Sequence, residues 1–198
     1  IPALLEGYSY YGDQIVSLPY IRSAALYYYN KTMFDAAGVE APKTIEELES
    51  IAPKLTDAEN GISAFEMLID SSFYMEALVN SLGSSTINAE GKKPDCLYDG
   101  SLLRVYQDWR TWVDEGWCIA PEVTNASSSM QEKFYEGKLA SFFASSGSMG
   151  DILANAKEAG FEVGVTSMPA YGKYVTPTGG GSLGLIQRNN SDNEIAAA

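Results

Sequence analysis

Short strand-like runs alternate with amphipathic helical stretches along this chain, and that alternation constrains its fold more than any other feature. Residues 14–29 (QIVSLPYIRSAALYYY) are rich in β-branched and aromatic side chains and predict two strand segments broken at Pro19. Asn30 to Gly38 predicts a short helix closed by the glycine. Thr44 and Glu47 form a capping box for a helix whose apolar face is Ile45, Leu48, Ile51, Ala52 and Leu55, kinked or shortened at Pro53. Residues 62–69 (ISAFEMLI) predict a buried strand. Asp70 and Ser71 are N-cap candidates for a helix to Leu82, with Gly83 behind it. A polar loop over 84–100 leads to a helix over 101–115 carrying Leu103, Tyr106, Trp109 and Val113. Ser129 and Glu132 predict a second capping box, opening a helix that ends at Gly137. Strands over 139–144, 161–168 and 182–187 enclose a further helix over 149–158, with Ser148 as its cap. The order predicts an α/β fold with a mainly parallel sheet flanked by helices.

Composition narrows what such a fold can do. The 198 residues are 45% hydrophobic and 20% charged, a globular balance sufficient for one domain and a small addition. A net charge of −13 repels nucleic acid and anionic membrane surfaces. Histidine is absent, which excludes Ser-His-Asp and Cys-His catalysis and histidine-bearing zinc sites. Cys96 and Cys118 are too few for a disulfide framework or a thiolate cluster; they form either one bridge or two separate thiols. No apolar run approaches the ~20 residues of a membrane span. The chain opens at Ile1 without a leader, and Glu194–Ala198 reads as the first turn of a helix, so the expectation is a piece of a longer protein.

Local motifs add little catalytic chemistry. Gly179 to Gly184 matches GxGxxG in form, but it precedes a strand instead of joining strand to helix, and it reads as a turn with backbone amides exposed. Ser145-Ser-Gly-Ser148-Met-Gly150 is not a nucleophile elbow, since no base exists to activate an oxygen. It reads either as a receiver for a hydroxyl or anionic group, at a strand end and helix start, or as residues competing to cap one helix. Trp109 and Trp117 read as packing residues, with Trp117 the alternative ligand platform. Pairs among the 26 carboxylates, such as Glu132 and Glu136, identify no glycosidase pair.

An ordered series of strings then points to a family. Leu18-Pro-Tyr20, Leu26-Tyr-Tyr-Tyr-Asn-Lys31, Phe34-Asp-Ala-Ala-Gly-Val39 and Pro42-Lys-Thr-Ile-Glu-Glu-Leu48 resemble the signature of family 1 extracellular solute-binding proteins, the receptors of bacterial ABC importers. Lys133 to Lys138, Ala144 to Ser148, Phe161 to Val165 with Met168-Pro169, and Gly179 to Leu183 follow in the family's order, the last three closest to its glycerol-3-phosphate-binding branch. The resemblance implies a periplasmic-binding-protein-like lobe: residues 1–25 as an incoming hinge segment and 26–198 as the second lobe of a two-lobe receptor. It implies a sugar, polyol or glycerol phosphate or phosphodiester as solute, captured by hinge closure, with no cofactor and no nucleic acid. The receptor is expected to be a monomer that delivers solute to ABC permease subunits, extracytoplasmic as a lipoprotein or periplasmic protein. Ser23, Ser145 with Ser146 and Ser148, Gly179 and Gly180 fall on ligand-contacting positions. A stacking Trp of the branch aligns near Ile69 and Asp70, where this chain has none, and Arg22 replaces a small polar residue. The alternatives are a fragment of an α/β carbohydrate-active hydrolase, or an interaction domain marked by an exposed apolar patch.

Overall fold

A computed structural model describes residues 10–11, 14–121 and 125–184. The chain divides into two compact units, Ile1–Ser23 with Thr178–Ala198, and Ala24–Pro177. The expected helical turn at Glu194–Ala198 and the last residues of the strand expected over 182–187 lie outside the described residues.

In the smaller unit, β1 (Tyr10–Tyr11) pairs antiparallel with β2 (Gln14–Ile15), and the early part of β3 (Ser17–Asn30) pairs with β8 (Thr178–Gly184). Two expectations change here. β3 runs unbroken through Pro19. Among the described residues the larger unit's strands pair with β3 only over Ala25–Asn30, beyond Pro19, and proline is tolerated in a strand where no neighbour needs its N–H. The Gly179–Gly184 run is part of strand β8, not a turn ahead of one. Gly180 has φ +119°, and a β-carbon built on it would lie 2.0 Å from the Ile21 carbonyl oxygen. Only glycine permits that approach to β3.

The larger unit has the strand order β5 (Cys118–Ile119), β4 (Phe65–Glu66), β6 (Ser141–Ser145), β3, β7 (Val163–Ser167). β4 is parallel to β5 and to β6, while β3 is antiparallel to both β6 and β7. Four strands therefore share one direction and β3 alone opposes them, so the sheet is mainly parallel as expected. Of the strand expected over 62–69, only Phe65–Glu66 enters a ladder; Ile62 and Ser63 make isolated bridges to Asp57 and Leu139.

The helices are α1 (Lys31–Ala37), α2 (Ile45–Leu55), α3 (Ser72–Ser81), α4 (Ser101–Asp114), α5 (Ala126–Tyr135) and α6 (Met149–Ala159). Asn30 caps α1 by accepting the Met33 amide, and Gly38 closes it in the left-handed conformation. The capping box on α2 forms, with the Glu47 amide 3.1 Å from Thr44 Oγ1. Pro53 does not shorten α2, which continues to Leu55. The amide it lacks would have bonded the carbonyl of Glu49, an exposed residue whose carbonyl water can serve. The second capping box does not form: α5 starts at Ala126, and the Ser129 amide already bonds the Asn125 carbonyl at 3.0 Å as an interior residue.

Two buried clusters cover the sheet faces. Tyr27, Phe65, Phe143, Tyr74, Trp112 and Trp117 belong to one, with α2, α3 and α4; Tyr28, Phe142, Met130, Phe134 and Ile152 belong to the other, with α5 and α6. Successive side chains of a strand point to opposite faces, so Tyr27 and Tyr28, or Phe142 and Phe143, supply both cores from adjacent positions. Trp117 is buried and packs 5.4 Å from Trp112, so it is no ligand platform. Cys96 and Cys118 are both buried free thiols, and the alternative of a bridge is set aside.

Candidate functional site

One candidate place on the sheet of the larger unit lies between β4 and β6. β4 and β6 are neighbours and parallel, so both deliver the chain to the same edge. From β4 the chain passes through Asp70 into α3, whose Tyr74, Met75, Leu78 and Val79 pack on one face. From β6 it passes through Ser145–Ser148 into α6, whose Ile152 and Ala156 pack on the other. Chains that leave adjacent parallel strands for opposite faces open a crevice at the strands' carboxyl ends, where α/β sheets bind ligands.

Asp70 is exposed, in the stretch between β4 and α3 whose Met67 is buried. Ser145 ends β6, half-buried, and its Oγ accepts the Gly147 amide at 3.1 Å, capping a short 3-10 turn over Ser146–Ser148. Ser146 Oγ accepts the Ala24 amide at 3.0 Å. Ser148 takes the N-cap position of α6 without a side-chain cap bond. The capping that the sequence left open therefore falls to Ser145, and it acts on the 3-10 turn and not on α6. Each accepting hydroxyl keeps its proton for a further acceptor.

The stretches 67–71 (MLIDS) and 145–150 (SSGSMG) contain one carboxylate and no lysine or arginine. Hydroxyls, amides and one carboxylate can hold a polyhydroxyl molecule by its O–H groups. They supply neither the paired carboxylates of glycoside hydrolysis nor a cation for a phosphate. Among the described residues no group of three or more Cys, Asp or Glu could hold a metal, and no helix is long and apolar enough to cross a membrane.

Ser23, Gly179 and Gly180 fall in the smaller unit. Ser23 is half-buried on β3 and the two glycines lie on β8, where Gly180 has the packing reason given above. Sequence reading missed Tyr28, whose hydroxyl donates to the Ser145 carbonyl at 3.0 Å. No local pattern signals a contact between residues so far apart in the chain. Among the described residues, cavities of about 400 Å³ beside Ser84, Asp95 and Tyr98 and about 460 Å³ beside Tyr29, Val39 and Thr166 include none of the serine-loop residues.

Comparison with known proteins agrees with this architecture. Residues 2–198 match the family described as bacterial extracellular solute-binding protein. A protein of Brucella abortus (strain 2308), named only as a binding protein, is 27% identical over 201 residues, which is 99% of this chain and 46% of the relative. The chain thus spans about half the length of the curated relatives it matches. Among solved structures, the GacH receptor of Streptomyces glaucescens, studied with acarbose, superposes with a TM-score of 0.76 at 23% identity, over 89% of this chain and 45% of that one. UgpB of Mycobacterium tuberculosis, in complex with glycerophosphocholine, gives 0.73 at 23% identity over 97% and 47%. Maltose-bound MalE3 of T. maritima gives 0.72 at 20% identity over 89% and 46%. At these identities the likeness is one of fold.

Proposed function

We propose a function on this premise: the chain belongs to the bacterial extracellular solute-binding protein family. It is the part of an ABC-importer receptor that holds one side of a small polar solute, without chemical turnover, and that passes the solute to membrane permease subunits after hinge closure. Residues 1–25 act as the hinge-side segment and 26–198 as the second lobe. The receptor works as a monomer outside the cytoplasm, as a surface lipoprotein or periplasmic protein.

The observation that supports the reading is the parallel β4–β6 pair, from whose carboxyl ends the chain passes through Asp70 to one face and through Ser145–Ser148 to the other, an arrangement that opens a ligand crevice in α/β sheets. Ser23, Gly179 and Gly180 are proposed solute contacts on the family resemblance. Because the loops of the crevice offer a carboxylate and hydroxyls but no cation, a neutral sugar or polyol is favoured over a glycerol phosphate.

A thermal-shift screen of the protein that carries this chain tests the proposal. A solute that binds only the native state raises its stability by RT ln(1 + [L]/Kd). Maltose, tagatose, glycerol, glycerol 3-phosphate and glycerophosphocholine form the panel. The expected hit is a neutral member, with no release of chromophore from chromogenic glycosides. Turnover of those glycosides sinks the receptor reading in favour of a hydrolase.

A further inference from the structure

The end of β6 raises an accounting question, because every buried main-chain N–H and C=O needs a partner. Hydrogen-bonded and non-hydrogen-bonded pairs alternate along an antiparallel ladder. The Asn30 amide donates to the Ala140 carbonyl at 2.8 Å, and the Ala24 amide donates to Ser146 Oγ at 3.0 Å. The two contacts fall at Ala140 and Ser146, just outside either end of β6 and in the same phase. Ser145, between them in phase, turns its main-chain groups away from β3 and toward the side on which β4 lies. β4 ends at Glu66, opposite Phe142, three residues short of Ser145. No neighbouring strand is there to receive Ser145.

A tyrosine hydroxyl stands in for that strand. Tyr28 stacks on Phe142 at 5.7 Å in one core, and its hydroxyl donates to the Ser145 carbonyl at 3.0 Å. The ring is buried, so its hydroxyl has no easy alternative in bulk water. Ser146 is tied in turn to Ala24.

We propose that Tyr28 is a positioning residue: its hydroxyl clamps the main chain of Ser145 and so sets the direction in which the Ser145–Ser148 loop presents its hydroxyls and amides to solute. The clamp rests on the proposed binding role of that loop.

Amide hydrogen exchange on the 198-residue chain tests the clamp without any solute. Tyr28→Phe keeps the packed ring and removes only the hydroxyl. The expected result is a rise of about fivefold to tenfold in exchange at Ser145, Gly147 and Ser148, the loss of one net hydrogen bond. Interior amides of β3 and α6 should keep their rates, with thermal midpoints within a few degrees of the parent. Unchanged exchange at 145–148 overturns the clamp. So does a rise spread evenly over the sheet with a falling midpoint, which marks a purely structural role. Titration of the parent with maltose and glycerophosphocholine separates the two readings: silence toward both counts against the receptor, while the exchange pattern decides the clamp.

Discussion

Tyr29 lies directly across the β3–β7 ladder from Gly164, and its ring occupies the space a side chain there would need. A β-carbon built on Gly164 would sit 1.9 Å from Tyr29 Cζ. The ring has little freedom to move aside, because Phe34 lies 4.6 Å away and Tyr27 stacks at 6.0 Å. Gly164→Ala should therefore destabilise the chain by about 2 kcal/mol, within the range for overpacking. Tyr29→Leu removes the atoms that clash, so the double variant should recover more than half of that loss in urea unfolding. A neutral Gly164→Ala would show that the aromatic contact is not fixed.

Burial of tyrosines gives a signed pH dependence. Burial, and then the nearby Tyr74, push the Tyr28 hydroxyl up from 10.0 to about 12, and burial raises Tyr74 and Tyr135 as well. In the unfolded chain these hydroxyls ionise near 10, as ordinary tyrosines do. A raised folded value means that their contribution is complete below pH 10 and is lost as pH rises through about 12. Stability in urea should be level from pH 7 to 9 and fall steeply above 10. Absorbance at 295 nm should show that part of the 13 tyrosines resists ionisation until unfolding. Ionisation of all of them near pH 10 in the folded protein would contradict the buried positions.

Cys96 and Cys118 are each 4% exposed and free. Burial raises both thiols, with the Asp99 charge adding to Cys96 and the Glu66 charge to Cys118. A thiol held protonated and away from solvent reacts slowly. Ellman's reagent should titrate close to zero thiols in the native chain and two after denaturation without reductant. One disulfide by mass spectrometry would contradict the geometry.

The helices and the class of sheet are legible in the sequence because their signals are local. Thr44 and Glu47, or Asn30 and Gly38, act within three to eight residues of each other. What the sequence hides depends on distant partners. Pro19 reads as a break until it is known that β3 runs on through it and pairs with β8. Ser129 and Glu132 copy a capping box, yet the helix begins at Asn125, whose left-handed φ of 55° no pattern announces. The serine loop is visible as a strand-to-helix passage, but that it leaves the same sheet edge as the Asp70 stretch follows from the β4–β6 pairing, and its anchoring by Tyr28 from a hydroxyl on a third strand.

Asp70→Asn and Ser148→Ala test the two walls of the crevice by calorimetry with whichever solute of the panel binds. Loss of a charged hydrogen bond at Asp70 should weaken binding by at least about tenfold, and loss of a neutral one at Ser148 by about fivefold. Neither residue supports the core, so thermal midpoints without solute should stay within about 2 °C. Unchanged affinity in both variants would remove this crevice from the solute site.

The most direct measurement is a nitrogen-15 amide shift titration of the chain with maltose, tagatose, glycerol 3-phosphate and glycerophosphocholine. A solute receptor that binds at the carboxyl ends of β4 and β6 predicts saturable shifts at Asp70, Ser71 and Ser145–Met149, larger for a neutral solute than for the phosphate. Binding by the chain alone should be weak, because pocket ligands are usually 70–90% enclosed and one wall covers only part of that surface. Saturable shifts confined to the cavity beside Ser84, Asp95 and Tyr98, with the Asp70 and Ser145–Met149 amides unmoved, would contradict the account.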